Sequence, residues 1–378
     1  MIVAMVPRVL SRSDLVILVG GGVAVVLAGV TRYAAATPAV LAFVTAAIAV
    51  ALLASLVARS VEQLGDRFGP GGTGVLQSAL GNLPELFIGF FALRAGLVEV
   101  VQAAIIGSVL GNALLVLGLA FIVGGLRHGT QRFSSHRART TSMLLVLATA
   151  ALVVPSIAAV VHTPAERHKT ALSVAVSVVL LAVFALSLPA SLRRHAEPAQ
   201  PEPEQPAQPE PRRPAEVDPA HPVAAPRWPA WLAIGLLALS GVLAALVSDW
   251  FVHALTPAIE VLGISQAFAG LVVVAIAGNA IENVVGIQLA ARNQADYALS
   301  VIVNSPLQVA LVLAPALVLL SFLTPATLTL VFAPMLVIAV VLTVVVVWMI
   351  TEDGESSWLE GVILVALYAI IAAVFWWG

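Results

Sequence analysis

The chain has 378 residues, of which 60% are hydrophobic and 10% charged, and its formal net charge at pH 7 is −2. This composition excludes an ordinary soluble domain and is typical of a polytopic helical membrane protein. The small net charge gives no indication of a nucleic-acid partner. Because the chain has no cysteine, disulfides and thiolate metal sites are excluded as well.

Eleven windows of roughly 20 apolar residues are long enough to cross a bilayer. In chain order they are 14–34, 37–58, 72–94, 98–124, 140–162, 169–189, 230–252, 264–291, 296–323, 327–350 and 357–377. We therefore predict an all-α membrane protein with about 11 transmembrane helices. Arg8 and Arg12 before the first window resemble the start of a signal peptide, but the length of this window favours an uncleaved span.

A polar, proline-rich segment interrupts the windows after the sixth span. Its sequence from Glu197 to Pro206 is too polar to bury a core and predicts a disordered or polyproline linker. The predicted organisation is an extra N-terminal helix at 1–35, a first five-helix repeat at 36–189, a cytoplasmic linker at 190–229 and a second five-helix repeat at 230–378.

The distribution of positive charge predicts how the spans are oriented. If the N-terminus is cytoplasmic, 14 of the 18 Lys and Arg residues fall in cytoplasmic segments. The positive-inside rule then places the N-terminus and the linker in the cytoplasm and the C-terminus outside. A single lysine beside many alanines and valines is typical of a bacterial genome rich in G and C, so we expect a bacterial inner membrane.

The sequence repeats itself at an offset of 197 residues, which aligns Asn82 with Asn279, Glu85 with Glu282 and Ser108 with Ser305. The register holds through two successive spans without a gap. Five crossings separate the two copies, and an odd number inverts the second copy relative to the first. Inverted repeats of this kind predict an ion site near the membrane midplane, where the halves meet.

Each copy carries a glutamate inside an apolar span, in the motifs Gly81-Asn82-Leu83-Pro84-Glu85 and Gly278-Asn279-Ala280-Ile281-Glu282. A carboxylate at bilayer depth costs roughly 2.5–3.5 kcal/mol on translocon insertion scales, so its duplication indicates a function. Asn and Glu three residues apart share one helix face. Glycine and proline weaken the helix at this point and free backbone carbonyls, which are tolerated only where they line a cavity or site.

Polar residues on the following spans could complete a site for a hard cation. Two carboxylates with amide, hydroxyl and carbonyl oxygens form a cage of the calcium type. The predicted ligands are Glu85, Glu282, Asn82, Asn279, Ser108, Ser305, Asn112 and Gln308, and Asn304 supplies another amide. Each amide or hydroxyl taken alone could equally be ordinary packing between helices.

The same carboxylates can hold protons, and an empty buried pair would prefer to do so. A divalent cation would displace those protons, and such competition for one site is what exchange requires. Four other acidic residues are predicted to lie in loops or turns between spans: Glu62, Asp66, Glu99 and Asp296. Glu62 and Asp66 could attract cations to the cytoplasmic entrance of the site.

The two repeat regions resemble the signature regions of the calcium/cation antiporter superfamily, most closely its cation/proton exchanger branch. The resemblance rests on Gly81–Gly89 and Val100–Asn112, with support from Glu62–Gly65. It implies a ten-helix core of two inverted five-helix repeats with an additional N-terminal helix. It also implies exchange of cytosolic calcium for protons through the two glutamates.

The second region departs from the pattern of that branch at two places. Asn283 stands where the branch usually has a histidine, and Asn304-Ser305-Pro306 stands where a Gly-Ser pair is expected. These departures leave open whether the cation is calcium, another divalent ion or sodium.

Together these features predict a secondary active transporter in the lipid bilayer, with no enzymatic activity and no nucleotide or organic cofactor. The expected transported ions are calcium and protons, and a sodium-coupled calcium exchanger or an antiporter for another cation is the alternative. A passive channel and an intramembrane hydrolase with paired carboxylates are hypotheses from other classes. The sequence shows no pattern for an activated water or a metal-dependent hydrolase.

Overall fold

A computed structural model describes residues 10–34, 36–65, 67, 76–77, 80–194 and 227–377, most of them helical. The helices before the linker are α1 (Arg12–Tyr33), α2 (Ala39–Gly65), α3 (Leu83–Arg94), α4 (Val98–Leu110), α5 (Leu117–His128), α6 (Ser135–Val160) and α7 (Lys169–Arg194). A π-helical turn, Gly111–Val116, joins α4 to α5 into one continuous span.

The helices after the linker are α8 (Ala230–Leu262), α9 (Gln266–Phe268), α10 (Ala275–Gly278), α11 (Ala280–Ala291), α12 (Ala295–Gln308), α13 (Ala314–Leu320), α14 (Pro334–Thr351) and α15 (Trp358–Trp376). π-Helical turns join α9 to α10 and α12 to α13. Two short strands, β1 (Gln131–Arg132) and β2 (Glu355–Ser356), pair antiparallel beside the bundle.

The prediction of a polytopic all-α membrane protein is confirmed. Within the described residues, nine helices are long and apolar enough to cross a membrane. Two further helical segments, Gln266–Gly278 and Glu282–Ala291, meet at an angle of 65° and together make a tenth span. The third predicted span, 72–94, is described mainly through α3, and most of 72–82 lies outside the described residues. The same holds for most of the predicted linker at 190–229.

The internal repeat predicted from the sequence is visible in the backbone. Asn82 and Asn279 have nearly the same dihedral angles, φ −92° and ψ 16° against φ −93° and ψ 16°. The turns after α3 and α11 match as well, because Gly96 and Asn293 both have positive φ, at 80° and 60°. The π-helical turns Gly111–Val116 and Val309–Leu313 also fall at equivalent positions.

The predicted span 327–350 is wrong at its start, because the helix begins only at Pro334. The residues before it form an extended segment, 324–333, in which Leu328, Leu330 and Phe332 alternate inward and are at most 2% exposed. Side chains replace the missing helical hydrogen bonds. Gln102 Nε2 donates to the carbonyls of Thr329 (3.0 Å) and Val331 (2.9 Å).

Ser156 and Ser173 bind the same extended segment from two other helices. The Ser156 hydroxyl donates to the Leu330 carbonyl and accepts from the Phe332 N–H, and the Ser173 hydroxyl accepts from the Leu330 N–H. Buried backbone groups must be satisfied at this depth. This segment of the second half is therefore held by three helices of the first half.

Replacing Gln102 by leucine is expected to destabilise the protein. The change leaves two buried carbonyls without their donor, which costs roughly 1–3 kcal/mol. Thermal unfolding of the detergent-solubilised protein would show a lower midpoint. The exposed Gln266 offers a control, because Gln266→Leu removes no such contact, and an equal midpoint shift in both variants would contradict this interpretation.

The structure also corrects one predicted loop residue. Helix α2 continues to Gly65, so Glu62 lies on a helix rather than in a loop, while Asp66 lies outside the described residues. Glu99 and Asp296 occupy the first turns of α4 and α12. The Asp296 carboxylate accepts a hydrogen bond from the Ser134 N–H at 2.7 Å, which connects the start of α12 to the segment before α6.

Candidate cation site

Each glutamate lies in the first turn of a helix that begins at a break. Asn82 immediately precedes α3. Pro84 suits the first turn of α3, because N–H groups there have no acceptor within the helix and proline has no N–H to leave unpaired. Asn279 separates α10 from α11 in the same way. Glu85 and Glu282 therefore both project from the first turn of a helix that follows a break in the helical backbone.

Asn279 is the centre of the hydrogen-bond cluster around Glu85. Its Nδ2 donates to Glu85 Oε1 at 2.5 Å, to Ser108 Oγ at 3.0 Å and to the Ala275 carbonyl at 2.9 Å. The Ser108 hydroxyl donates to the same Glu85 oxygen at 3.3 Å. One amide from the second repeat thus orients the glutamate of the first.

Asn112 and Ser305 complete this cluster. Asn112 Nδ2 donates to Asn279 Oδ1 at 3.0 Å and to Ser305 Oγ at 3.1 Å, and the Ser305 hydroxyl donates to Asn279 Oδ1 at 3.1 Å. All three side chains are at most 3% exposed. Five of the eight predicted ligands, from both repeats, therefore meet in one polar cluster inside an apolar bundle.

Two of the other predicted ligands, Asn82 and Gln308, contact each other. Asn82 Nδ2 makes a longer hydrogen bond of 3.4 Å with Gln308 Oε1. Asn304 was expected to supply an amide, but it is exposed and donates to Ser300 Oγ one turn earlier on α12. It faces away because it directly precedes the inward-facing Ser305, and consecutive helical residues point in different directions.

Several oxygens in the cluster are buried without a hydrogen-bond donor among the described residues. They are Glu85 Oε2, Asn112 Oδ1 and Asn283 Oδ1. Asn112 and Asn283 line one small void together with Ser108 and Asn279. Within the described residues no three Asp, Glu, His or Cys side chains converge, so a cation here would need amide and hydroxyl oxygens beside the two carboxylates.

The two glutamates line cavities of very different size. Glu282 lines a cavity of about 640 Å³, named here the access cavity, together with Gly81, Ala280 and Gln288. Glu85 lines only a narrow void of about 20 Å³ whose walls are mostly apolar, among them Ile88, Val101 and Leu317. Glu282 thus lines a large cavity, whereas Glu85 lines a small and mostly apolar void.

Gly278 allows Glu85 to pack against the broken helix. A Cβ at this position would lie 2.6 Å from Glu85 Cγ and 2.9 Å from Oε1. Gly278→Ala should therefore displace the carboxylate and reduce ion transport by roughly tenfold or more, since a misplacement of about 1 Å in a site can cost that much. Uptake in vesicles is the measurement. Gly241→Ala is the control, because a Cβ there meets nothing within 4 Å.

Comparison with known proteins agrees with this fold. The chain is a polytopic helical membrane protein whose polar cluster joins two repeats. The family model described as sodium/calcium exchanger protein matches residues 38–192 and 232–377, so the chain belongs to that family. Its members are transporters rather than enzymes, and the resemblance of the two repeat regions to cation antiporters is confirmed.

Individual relatives cover nearly the whole chain. A Ca(2+)/H(+) antiporter of Synechocystis sp. is 35% identical over 336 residues, which is 88% of this chain and 90% of the relative. The Ca(2+)/H(+) antiporter ChaA of Bacillus subtilis is 35% identical over 339 residues, 89% of this chain and 92% of the relative. The solved structure of native YfkE superposes with a TM-score of 0.76 at 31% identity, covering 96% of this chain and 98% of that one.

Proposed function

We propose that this protein is a secondary active antiporter that exchanges calcium for protons across a bacterial inner membrane. The relatives named Ca(2+)/H(+) antiporter, at 35% identity over most of both chains, support the pair of ions. The observation that carries the proposal is the buried cluster in which Asn279 of one repeat holds Glu85 of the other, with Glu85 Oε2 left unpaired.

Calcium would bind to the two glutamate carboxylates and to neutral oxygens around them. Glu85 and Glu282 supply the negative charge, and the proposed neutral ligands are Asn82, Asn279, Ser108, Ser305, Asn112 and Gln308. This set suits calcium, which accepts six to eight oxygen ligands in flexible geometry. The unpaired oxygens of Glu85 and Asn112 are free to bind a cation without first losing a hydrogen bond.

Protons would compete for the same carboxylates. With calcium absent, two buried negative charges side by side are costly, so the carboxyl groups would take up protons. Only a filled site, with either calcium or protons, would allow the helices to change conformation. This exclusion couples the two ions and prevents an uncoupled leak.

The access cavity would open to the cytoplasm. Arg59 and Arg227 lie at this cavity and belong to the segments that the positive-inside rule places inside. In this conformation calcium would reach Glu282 from the cytoplasm, while the apolar side chains near Glu85 close the other side. The domain organisation with an extra helix at 1–35, repeats at 36–189 and 230–378 and a linker at 190–229 is part of this proposal. One group of helices would slide or rock against the other to alternate access.

Transport by purified protein in liposomes tests the exchange directly. With an acidic lumen and calcium outside, calcium uptake should follow the proton gradient and stop when a protonophore collapses it. A sodium gradient of equal size, imposed without a pH difference, should not drive uptake. Uptake driven by sodium alone would support the sodium-coupled alternative, and downhill calcium flux that ignores both gradients would support a channel.

A further inference from the structure

A partly buried ion pair lines the access cavity outside the glutamate site. Arg59 on α2 binds the carboxylate of Asp14 in the first turn of α1. Asp14 is only 3% exposed, and its carboxylate also accepts the Ser11 N–H at 2.9 Å in a helix-capping box. Arg59 Nη1 donates further to Ser13 Oγ at 3.1 Å. Both residues of the pair lie at the wall of the cavity that Glu282 lines.

The wall of this cavity carries charges of both signs. Among the described residues that line it, the acidic ones are Asp14, Glu62 and Glu282, and the basic ones are Arg59 and Arg227. Acidic groups attract a divalent cation toward the site, whereas a guanidinium without a partner repels it. Low-dielectric walls concentrate such fields inside a cleft. The ion pair with Asp14 cancels the repulsion that Arg59 would otherwise exert.

We propose that Asp14 is a positioning residue for cation uptake, because it neutralises Arg59 at the wall of the access cavity. This inference rests on the proposed exchange of calcium for protons. The extra helix α1, which lies outside the repeat, contributes this carboxylate to the path of the ion. Its function in the transporter is thus electrostatic as well as structural.

The Asp14–Arg59 pair could serve only to hold α1 against α2, or it could set the charge of the cavity. These two roles predict different transport kinetics for the single variants. If the pair only held α1 against α2, loss of either partner would break the same contact and impair transport in the same direction. If the pair sets the charge of the cavity, loss of Asp14 leaves a positive charge, and loss of Arg59 leaves a negative one. The two single variants should then change the apparent affinity for calcium in opposite directions.

The experiment measures initial calcium uptake against calcium concentration in proteoliposomes, with the access cavity facing the calcium solution. At low ionic strength Asp14→Asn should raise KM roughly fourfold with little change in kcat, the size expected for one charge acting on a divalent ion about 10 Å away in water. Arg59→Gln should lower KM, and the double variant should return toward wild type. Added choline chloride should shrink these shifts, because salt screens them.

The exposed pair Arg132–Glu355 serves as the matched control, since neither residue lines the access cavity. Arg132→Gln and Glu355→Gln should leave KM unchanged. Equal shifts of KM in Asp14→Asn and Arg59→Gln, or no shift in either, would overturn the proposal.

Failure of the wild-type protein to exchange calcium for protons would instead contradict the proposed function, so the two failures can be told apart. If Asp14→Asn does not fold, Arg59→Gln alone decides, because an unchanged or higher KM contradicts the electrostatic role.

Discussion

Replacing Glu85 or Glu282 by glutamine is expected to abolish calcium uptake driven by a proton gradient. Glutamine keeps the size of the side chain but removes the negative charge and the group that takes up a proton. Each variant therefore loses half of the charge available to calcium and one of the two carboxyl groups. The measurement is uptake of radioactive calcium into proteoliposomes with an acidic lumen.

Glu99→Gln is the control for these two variants, because Glu99 is an exposed carboxylate in the first turn of α4. Its uptake should stay close to wild type. A rate near that of wild type in either Glu85→Gln or Glu282→Gln would show that the exchanged ions do not need that carboxylate. The proposed coupling through a shared pair would then be wrong.

Replacing Asn279 by alanine is expected to have the second largest effect. Asn279 makes hydrogen bonds to Glu85, Ser108, Asn112 and Ser305, so its loss removes four hydrogen bonds from the buried cluster. Each contributes about 0.5–1.5 kcal/mol, and the glutamate loses the amide donor that orients it. Calcium uptake should fall by one to two orders of magnitude, since about 1.4 kcal/mol corresponds to a factor of ten.

The repeat itself supplies the control for this variant. Asn82 occupies the equivalent position, but among the described residues its side chain makes one hydrogen bond, of 3.4 Å, to Gln308. Asn82→Ala should therefore reduce uptake much less than Asn279→Ala in this conformation. Equal losses of uptake in the two variants would indicate that both asparagines contribute to transport to the same extent. The hydrogen-bond network around Asn279 would then not explain the loss in Asn279→Ala.

Much of the fold could be predicted from the sequence because the bilayer imposes simple constraints. A span must be apolar and about 20 residues long, so eleven windows were predicted, and nine or ten spans are found within the described residues. The glutamates and asparagines stood out because polar groups are rare at that depth. The offset of 197 residues then indicated which residues would meet, and Glu85, Asn279, Ser108, Asn112 and Ser305 do so.

Other features depend on tertiary contacts that hydropathy does not contain. The segment before Pro334 adjoins an apolar span, yet Gln102, Ser156 and Ser173 hold it in a non-helical conformation. Its alternating Leu328, Leu330 and Phe332 were the available signal for an extended chain. Helical periodicity likewise could not show that Asn304 faces outward while its neighbour faces the cluster.

The Asp14–Arg59 pair was also not foreseen. Ser11 and Asp14 form a capping box at the start of α1. The partner of the carboxylate lies 45 residues away on α2. Sequence patterns within one helix cannot predict such a contact, which requires the packing of α1 against α2.

Proton release upon calcium binding tests the shared site most directly. Calcium is added to purified protein in weakly buffered detergent solution, and a pH indicator follows the protons that appear. Wild-type protein should release protons as calcium binds, and its apparent calcium affinity should fall as the solution is made more acidic. Glu85→Gln should release fewer protons or bind no calcium. Calcium binding that releases no protons, at an affinity independent of pH, would contradict exchange of the two ions at these carboxylates.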